Sequence, residues 1–171
     1  MKGYIQVYTG NGKGKTTAAF GLALRAVGAG KKVFFAQFVK GQTYSEIHAI
    51  KQHLPNITVE QYGLNCFIVK APTQEDIDIA RKGFERVSKI IMSEDYDVIV
   101  LDEANIAIYY KLFSVEELIK VLKTKHVETE IIITGRYAPS ELIEFADLVT
   151  EMKEIKHYYN KGVEARKGIE C

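Results

Sequence analysis

The 171 residues are 47% hydrophobic and 26% charged, with a formal net charge of +1. That length fits one domain, residues 1–171, and the near-neutral charge gives no overall pull toward nucleic acid or an anionic membrane. No apolar run approaches the roughly 20 residues of a membrane-spanning helix; no signal-peptide pattern precedes the first strand, and Cys66 and Cys171 suggest no disulfide framework, so the expected home is a reducing cytoplasm.

Strand and helix patterns alternate along the chain. Residues 4–8 read as a short strand, followed by Thr9-Gly10-Asn11-Gly12-Lys13-Gly14-Lys15-Thr16-Thr17 and a helical run over 17–29. Residues 32–39 are near-continuously apolar, as a strand buried on both faces requires. A short helix over 46–54 ends before Pro55, and 57–62 alternate as a third strand. Residues 63–73 form an irregular loop. Thr73 and Asp76 then form a capping box that opens the longest helix, with apolar spacing kept through to Met92. A fourth strand is predicted over 97–101, a helix over 114–122, a fifth strand over 130–134, a helix over 140–145 and a sixth strand over 148–152. The tail from Lys156 lacks clear periodicity. This alternation argues a mostly parallel central sheet in an α/β fold of three layers, with ligands at the carboxyl ends of the strands.

Two features carry chemistry. Strand, glycine-rich turn, Gly14-Lys15-Thr16 and helix form the context of a phosphate-binding loop: glycines let backbone N–H groups converge on phosphate oxygens, and the helix N-terminus adds partial positive charge. Gly10, Asn11, Gly12, Lys13, Gly14, Lys15, Thr16 and Thr17 are therefore the expected nucleotide-binding residues. Thr9 stands where the usual motif has glycine. The second feature is the apolar fourth strand ending in Asp102-Glu103, where such folds hold magnesium; Thr16, Asp102 and Glu103 are the expected metal residues. Arg136, past the fifth strand, is placed to meet a phosphate or a partner's carboxylate, and Arg25 on the first helix is given the same two roles. His48, His53, His126 and His157 have no metal-ligand spacing, and the basic tail reads as solvated surface rather than a nucleic-acid site.

These stretches resemble the P-loop type of ATP:corrinoid (cob(I)alamin) adenosyltransferase. The resemblance runs through residues 9–19, Gln37-Phe38-Val39-Lys40-Gly41, Leu101-Asp102-Glu103 and Thr134-Gly135-Arg136. It continues in residues 146–152, Lys156-His157 and Gly168-Ile169-Glu170. It implies a RecA-like P-loop NTPase fold and a cytoplasmic homodimer served by an electron donor such as a flavodoxin. It also implies transfer of the 5′-deoxyadenosyl group of ATP to a corrinoid's cobalt, with release of triphosphate. Cobalt(I) is then the nucleophile, so no catalytic side-chain nucleophile is needed, and the protein aligns the reactants and neutralises the leaving group. The loop that helps a corrinoid shed its lower ligand departs from the family's habit: it reads Gly63-Leu64-Asn65-Cys66-Phe67-Ile68, leaving Phe67 as the aromatic expected to face the corrinoid. The alternatives are a P-loop ATPase or kinase using Glu103 to position water or a hydroxyl, and a non-catalytic corrinoid carrier or regulator.

Overall fold

The computed structural model describes residues 2–42, 44–64, 68 and 71–170; Cys66, Phe67 and Cys171 lie outside the described residues. Six strands form one sheet: β1 (Ile5–Thr9), β2 (Val33–Phe38), β3 (Ile57–Tyr62), β4 (Val98–Asp102), β5 (Glu130–Thr134) and β6 (Leu148–Glu151). Their order is β3-β2-β4-β5-β1-β6, and every pairing is parallel. β5 thus separates the strand that leads into the glycine-rich loop from the strand that ends in Asp102. Parallel neighbours need crossovers, and the helices that make them cover both faces.

Alternate residues of β2, β4 and β5 feed different cores. Phe34, Ala36 and Phe38 of β2 join Ile99, Leu101, Ile131 and Ile133 under α3 (Gln74–Met92), α4 (Ala104–Tyr109), α5 (Val115–Leu122) and α6 (Ser140–Phe145). Val33 and Phe35 join Val98, Val100 and Ile132 under α1 (Lys15–Gly28), with Ile50 of α2 (Ser45–His53) alongside. Ala19, Ala23 and Ala26 give α1 a smooth inner stripe at helical spacing, so that its axis lies close to the sheet, and Phe20 stacks on Phe35 at 3.9 Å. Capping boxes start α3 at Thr73 and α5 at Ser114. Among the described residues no helix is long and apolar enough to cross a membrane.

The predicted α/β fold and all six strands are present, and the sheet is wholly parallel rather than mostly so. Three details differ. The first helix begins at Lys15, not at residue 17, so the Gly-Lys-Thr segment is itself the start of the helix. The fourth strand runs one residue further and takes in Asp102. A helix absent from the sequence reading, α4, follows at once because Glu103 turns the chain in the left-handed region, φ 58°. The aperiodic tail contains one 3₁₀ turn, Tyr158–Lys161.

α3 meets the sheet through Gly83. A Cβ there would lie 2.3 Å from Cγ of Tyr62, whose hydroxyl is tied to Glu60. Gly83→Ala therefore sets a gain in helix propensity of about 1 kcal/mol against overpacking of about 1–3 kcal/mol. The expected result is a lower melting temperature, by about 2–4 °C per kcal/mol of net loss; an unchanged or raised melting temperature would show that the Tyr62 ring yields.

Candidate functional site

The loop and the strand-end acids meet at the carboxyl edge of the sheet. β1 ends at Thr9, which is buried and whose Oγ1 accepts a hydrogen bond from the Ala138 N–H at 3.3 Å. A glycine in the usual first position of the motif could not make that tie between the loop and the segment after β5. Gly10 (φ 92°) and Gly14 (φ 115°) adopt backbone angles that side-chain-bearing residues avoid. The resulting curl wraps the buried Lys15 ammonium, which donates to the carbonyls of Gly10 (2.7 Å) and Gly12 (2.8 Å). Burial pushes the Lys15 pKa down, and Glu103 is the largest influence opposing that shift.

The N-terminus of α1 has neither a side-chain cap nor an acid in its first turn. Its first N–H groups carry the partial positive charge of the helix and have no intrahelical partners. The Gly12 N–H, by contrast, is already engaged, donating to the Met152 carbonyl at 2.6 Å.

Asp102 is the hub. Its carboxylate is 0% exposed and accepts four hydrogen bonds. Thr16 Oγ1 (2.8 Å) and Thr134 Oγ1 (2.6 Å) donate to Oδ1, while Lys40 Nζ (2.8 Å) and Gln37 Nε2 (3.1 Å) donate to Oδ2. Gln37 in turn accepts from Gln61 at 3.0 Å. Lys40 Nζ also donates to Thr16 Oγ1 at 3.2 Å and lies 3.9 Å from Oε1 of Glu103. Burial disfavours the Lys40 ammonium, yet the Asp102 and Glu103 charges outweigh burial and hold its pKa above the usual value.

Glu103 stands beside Asp102 in a different situation. Burial pushes its pKa up, Asp102's charge adds to the shift, and Lys40, Lys15 and Arg136 work against it. Its backbone N–H donates to Thr134 Oγ1 at 3.0 Å, which fixes the turn. Asn105, the second residue of α4, donates to the Gly135 carbonyl at 3.1 Å, while its buried Oδ1 has no partner among the described residues.

Of the residues singled out from sequence, Lys15, Thr16, Asp102 and Glu103 come together. Asn11 and Thr17 are exposed at the loop, and Arg136 reaches it through a 3.5 Å contact to the Asn11 carbonyl. Lys13 turns outward to the tail: its ammonium donates to the Ile169 carbonyl (3.0 Å), the Tyr158 hydroxyl (3.1 Å) and the Glu170 carboxylate (2.8 Å), and Arg166 also holds Glu170. The Glu170 pKa is strongly lowered, first by Arg166 and then by Lys13. Arg25 is exposed in the last turn of α1, about 15 Å along the axis from Lys15. Phe67 lies outside the described residues. The sequence reading gave no role to Gln37, Lys40 or Thr134, although polar residues closing apolar strands 2 and 5 are a signal: Gln37 is in register with Asp102, and Thr134 follows the Leu101–Ile133 pair.

The two acids should respond oppositely to neutralisation. Asp102→Asn removes the carboxylate nearest Lys40's ammonium and turns an amide N–H₂ toward donors; a loss of about 3–5 kcal/mol is expected. Glu103→Gln relieves a carboxylate whose ionised form the folded protein disfavours, so the ligand-free variant should melt above the parent at neutral pH. Parallel thermal melts check both, and equal losses would contradict the division of labour.

A family model described as "ATP:corrinoid adenosyltransferase BtuR/CobO/CobP" matches residues 1–171. The chain is 37% identical over 172 residues to a corrinoid adenosyltransferase from Sinorhizobium sp., covering 99% of this chain and 80% of that one. It is 36% identical over 170 residues to the corrinoid adenosyltransferase of Escherichia coli K12, covering 99% and 86%. To corrinoid adenosyltransferase CobA of Salmonella typhimurium LT2 it is 36% identical over 171 residues, again covering 99% and 86%. A whole-chain match, joined to a Gly-Lys-Thr segment hydrogen-bonded to the strand-end Asp102 on a P-loop NTPase-like sheet, places the chain in the ATP:corrinoid adenosyltransferase family.

Proposed function

We propose that this chain transfers the 5′-deoxyadenosyl group of ATP to the cobalt(I) of a corrinoid, cob(I)alamin or cob(I)yrinic acid a,c-diamide, and releases triphosphate. The observation that carries the reading is the Thr16–Asp102 hydrogen bond, because it joins the start of α1 to the acids of β4 at one point. In the reaction the cobalt electron pair forms a bond to C5′, and the C5′–O bond breaks with its electrons leaving on triphosphate. The protein's task is then to hold ATP and stabilise a polyanionic leaving group.

Lys15 suits that task. Its ammonium is already largely buried and, among the described residues, is satisfied by two loop carbonyls, so exchanging them for phosphate oxygens is favourable. The unpaired N–H groups at Gly14 and the first turn of α1, with Asn11, Thr16 and Thr17, form the rest of the cradle. Lys13 joins it by leaving Glu170, and Arg136 is near enough to Asn11 to meet a phosphate. Arg25, remote from the loop, fits the interface half of its expected roles, in a homodimer. A flavodoxin-like electron donor and a corrinoid contact by Phe67 belong to the same proposal, on sequence grounds alone.

A magnesium ion fits the residues present. Thr16 Oγ1 and the two carboxylates are hard oxygen donors, and they already draw in a cation, the Lys40 ammonium. Thr16 and Glu103 would hold the metal, while Asp102, with both oxygens engaged, would orient the Thr16 hydroxyl. Bound there, magnesium would offset charge on the triphosphate.

Lys15→Ala should weaken ATP binding by roughly 10–100-fold without unfolding the protein; unchanged affinity by calorimetry would remove the loop from the site. The activity itself is tested with ATP, magnesium and chemically reduced cobalamin. Appearance of the cobalt–carbon absorbance together with triphosphate is the expected result. Inorganic phosphate or a phosphorylated product would favour the ATPase or kinase reading, and neither product would favour a binding protein.

A further inference from the structure

We propose that Lys40 is a built-in occupant of the metal position, which keeps a divalent cation out of the site until one arrives bound to a nucleotide. The inference rests on the metal reading of Thr16 and the strand-end acids. Its basis is that one ammonium reaches both expected metal ligands, Thr16 Oγ1 at 3.2 Å and Glu103 Oε1 at 3.9 Å, and the acid that orients Thr16, Asp102 Oδ2 at 2.8 Å. A structural lysine needs one carboxylate; this one bridges the hydroxyl and both acids.

The chemistry explains why a placeholder is useful. Asp102 and Glu103 are adjacent carboxylates at a poorly solvated edge, and the Lys40 ammonium is a cation within 4 Å of both. A metal arriving alone must displace Lys40 while the displaced ammonium finds no new anion. A metal arriving on a triphosphate brings phosphate oxygens that can accept the ammonium as it leaves Asp102 Oδ2. The exchange then conserves charge pairing on both sides, and the placeholder makes metal binding conditional on nucleotide. Lys40 lies two residues past β2, after the left-handed Val39 (φ 56°), and its side chain is only 15% exposed, so a flexible surface lysine does not account for the contact.

Mn²⁺, followed by electron paramagnetic resonance and calorimetry, tests the idea without turnover. The parent protein free of nucleotide should bind Mn²⁺ far more weakly than its ATP complex does. Lys40→Met and Lys40→Gln should each bind Mn²⁺ without nucleotide at least tenfold more tightly than the parent, with melting temperatures that rise on adding the ion. The same variants should bind Mn²⁺·ATP less tightly than the parent, because the triphosphate loses a cation. If a variant is unfolded without metal, Mn²⁺ present during refolding should restore it, and failure of both variants to fold with Mn²⁺ overturns the proposal. So does a parent protein that binds Mn²⁺ equally well with and without ATP, or folded variants that gain no affinity. A parent whose ATP binding ignores divalent metal altogether would instead sink the metal reading of Thr16 and Glu103, and the two failures are thereby told apart.

Discussion

A carboxylate excluded from water must be compensated where it stands, and Asp102 is compensated by four donors from four places in the chain. Thr16 comes from α1, Gln37 from β2, Lys40 from the segment after β2 and Thr134 from β5. None of these residues is near another in sequence except Gln37 and Lys40. The carboxylate therefore specifies how the glycine-rich loop sits against the three strands beside it. Desolvating a charge is costly, but a buried group with both oxygens saturated tolerates few other arrangements, and that intolerance defines the geometry of the edge.

Glu103 shows what the neighbouring position trades away. The same peptide that continues from a satisfied acid turns abruptly at φ 58° and directs the next carboxyl toward three cations without giving it a full set of donors. One acid is saturated and organises the site. The next is one whose charged form burial and its neighbour disfavour. A strained, under-compensated group beside a fully compensated one is how a fold concentrates reactivity at one point while the surrounding structure stays rigid.

The sheet and most helices were legible because their signals are local. Near-continuous apolar runs bounded by glycine or acids mark β2, β4 and β5, and Thr73 and Ser114 announce their helices by capping. Lys15, Thr16 and the acids were legible because their spacing and order are demanded by chemistry. What escaped notice depends on register and on turns. α4 is six residues long and opens at a left-handed glutamate, so it has neither the length nor the start signal that periodicity detects. Gln37 and Lys40 acquire meaning only when β2 lies beside β4, a pairing no short window contains. Lys13 looked like a second loop cation, and nothing within the loop indicated that residues 158–170 would fold back on it.

β1 is hydrogen-bonded to β5 on one side and β6 on the other, with Ile5 opposite Ile131 and Val7 opposite Val149. The floor of the glycine-rich loop is likewise made late in the chain, since the Met152 carbonyl lies 2.5 Å from where a Cβ on Gly10 would stand. During synthesis β1 thus leaves the ribosome more than a hundred residues ahead of both strands it pairs with. β2, β3 and β4 can pair while β1 and its loop wait for more than a hundred residues to follow, a long-range closure of the kind that slows folding. A nascent chain would carry the loop's sequence long before it could give the loop its shape.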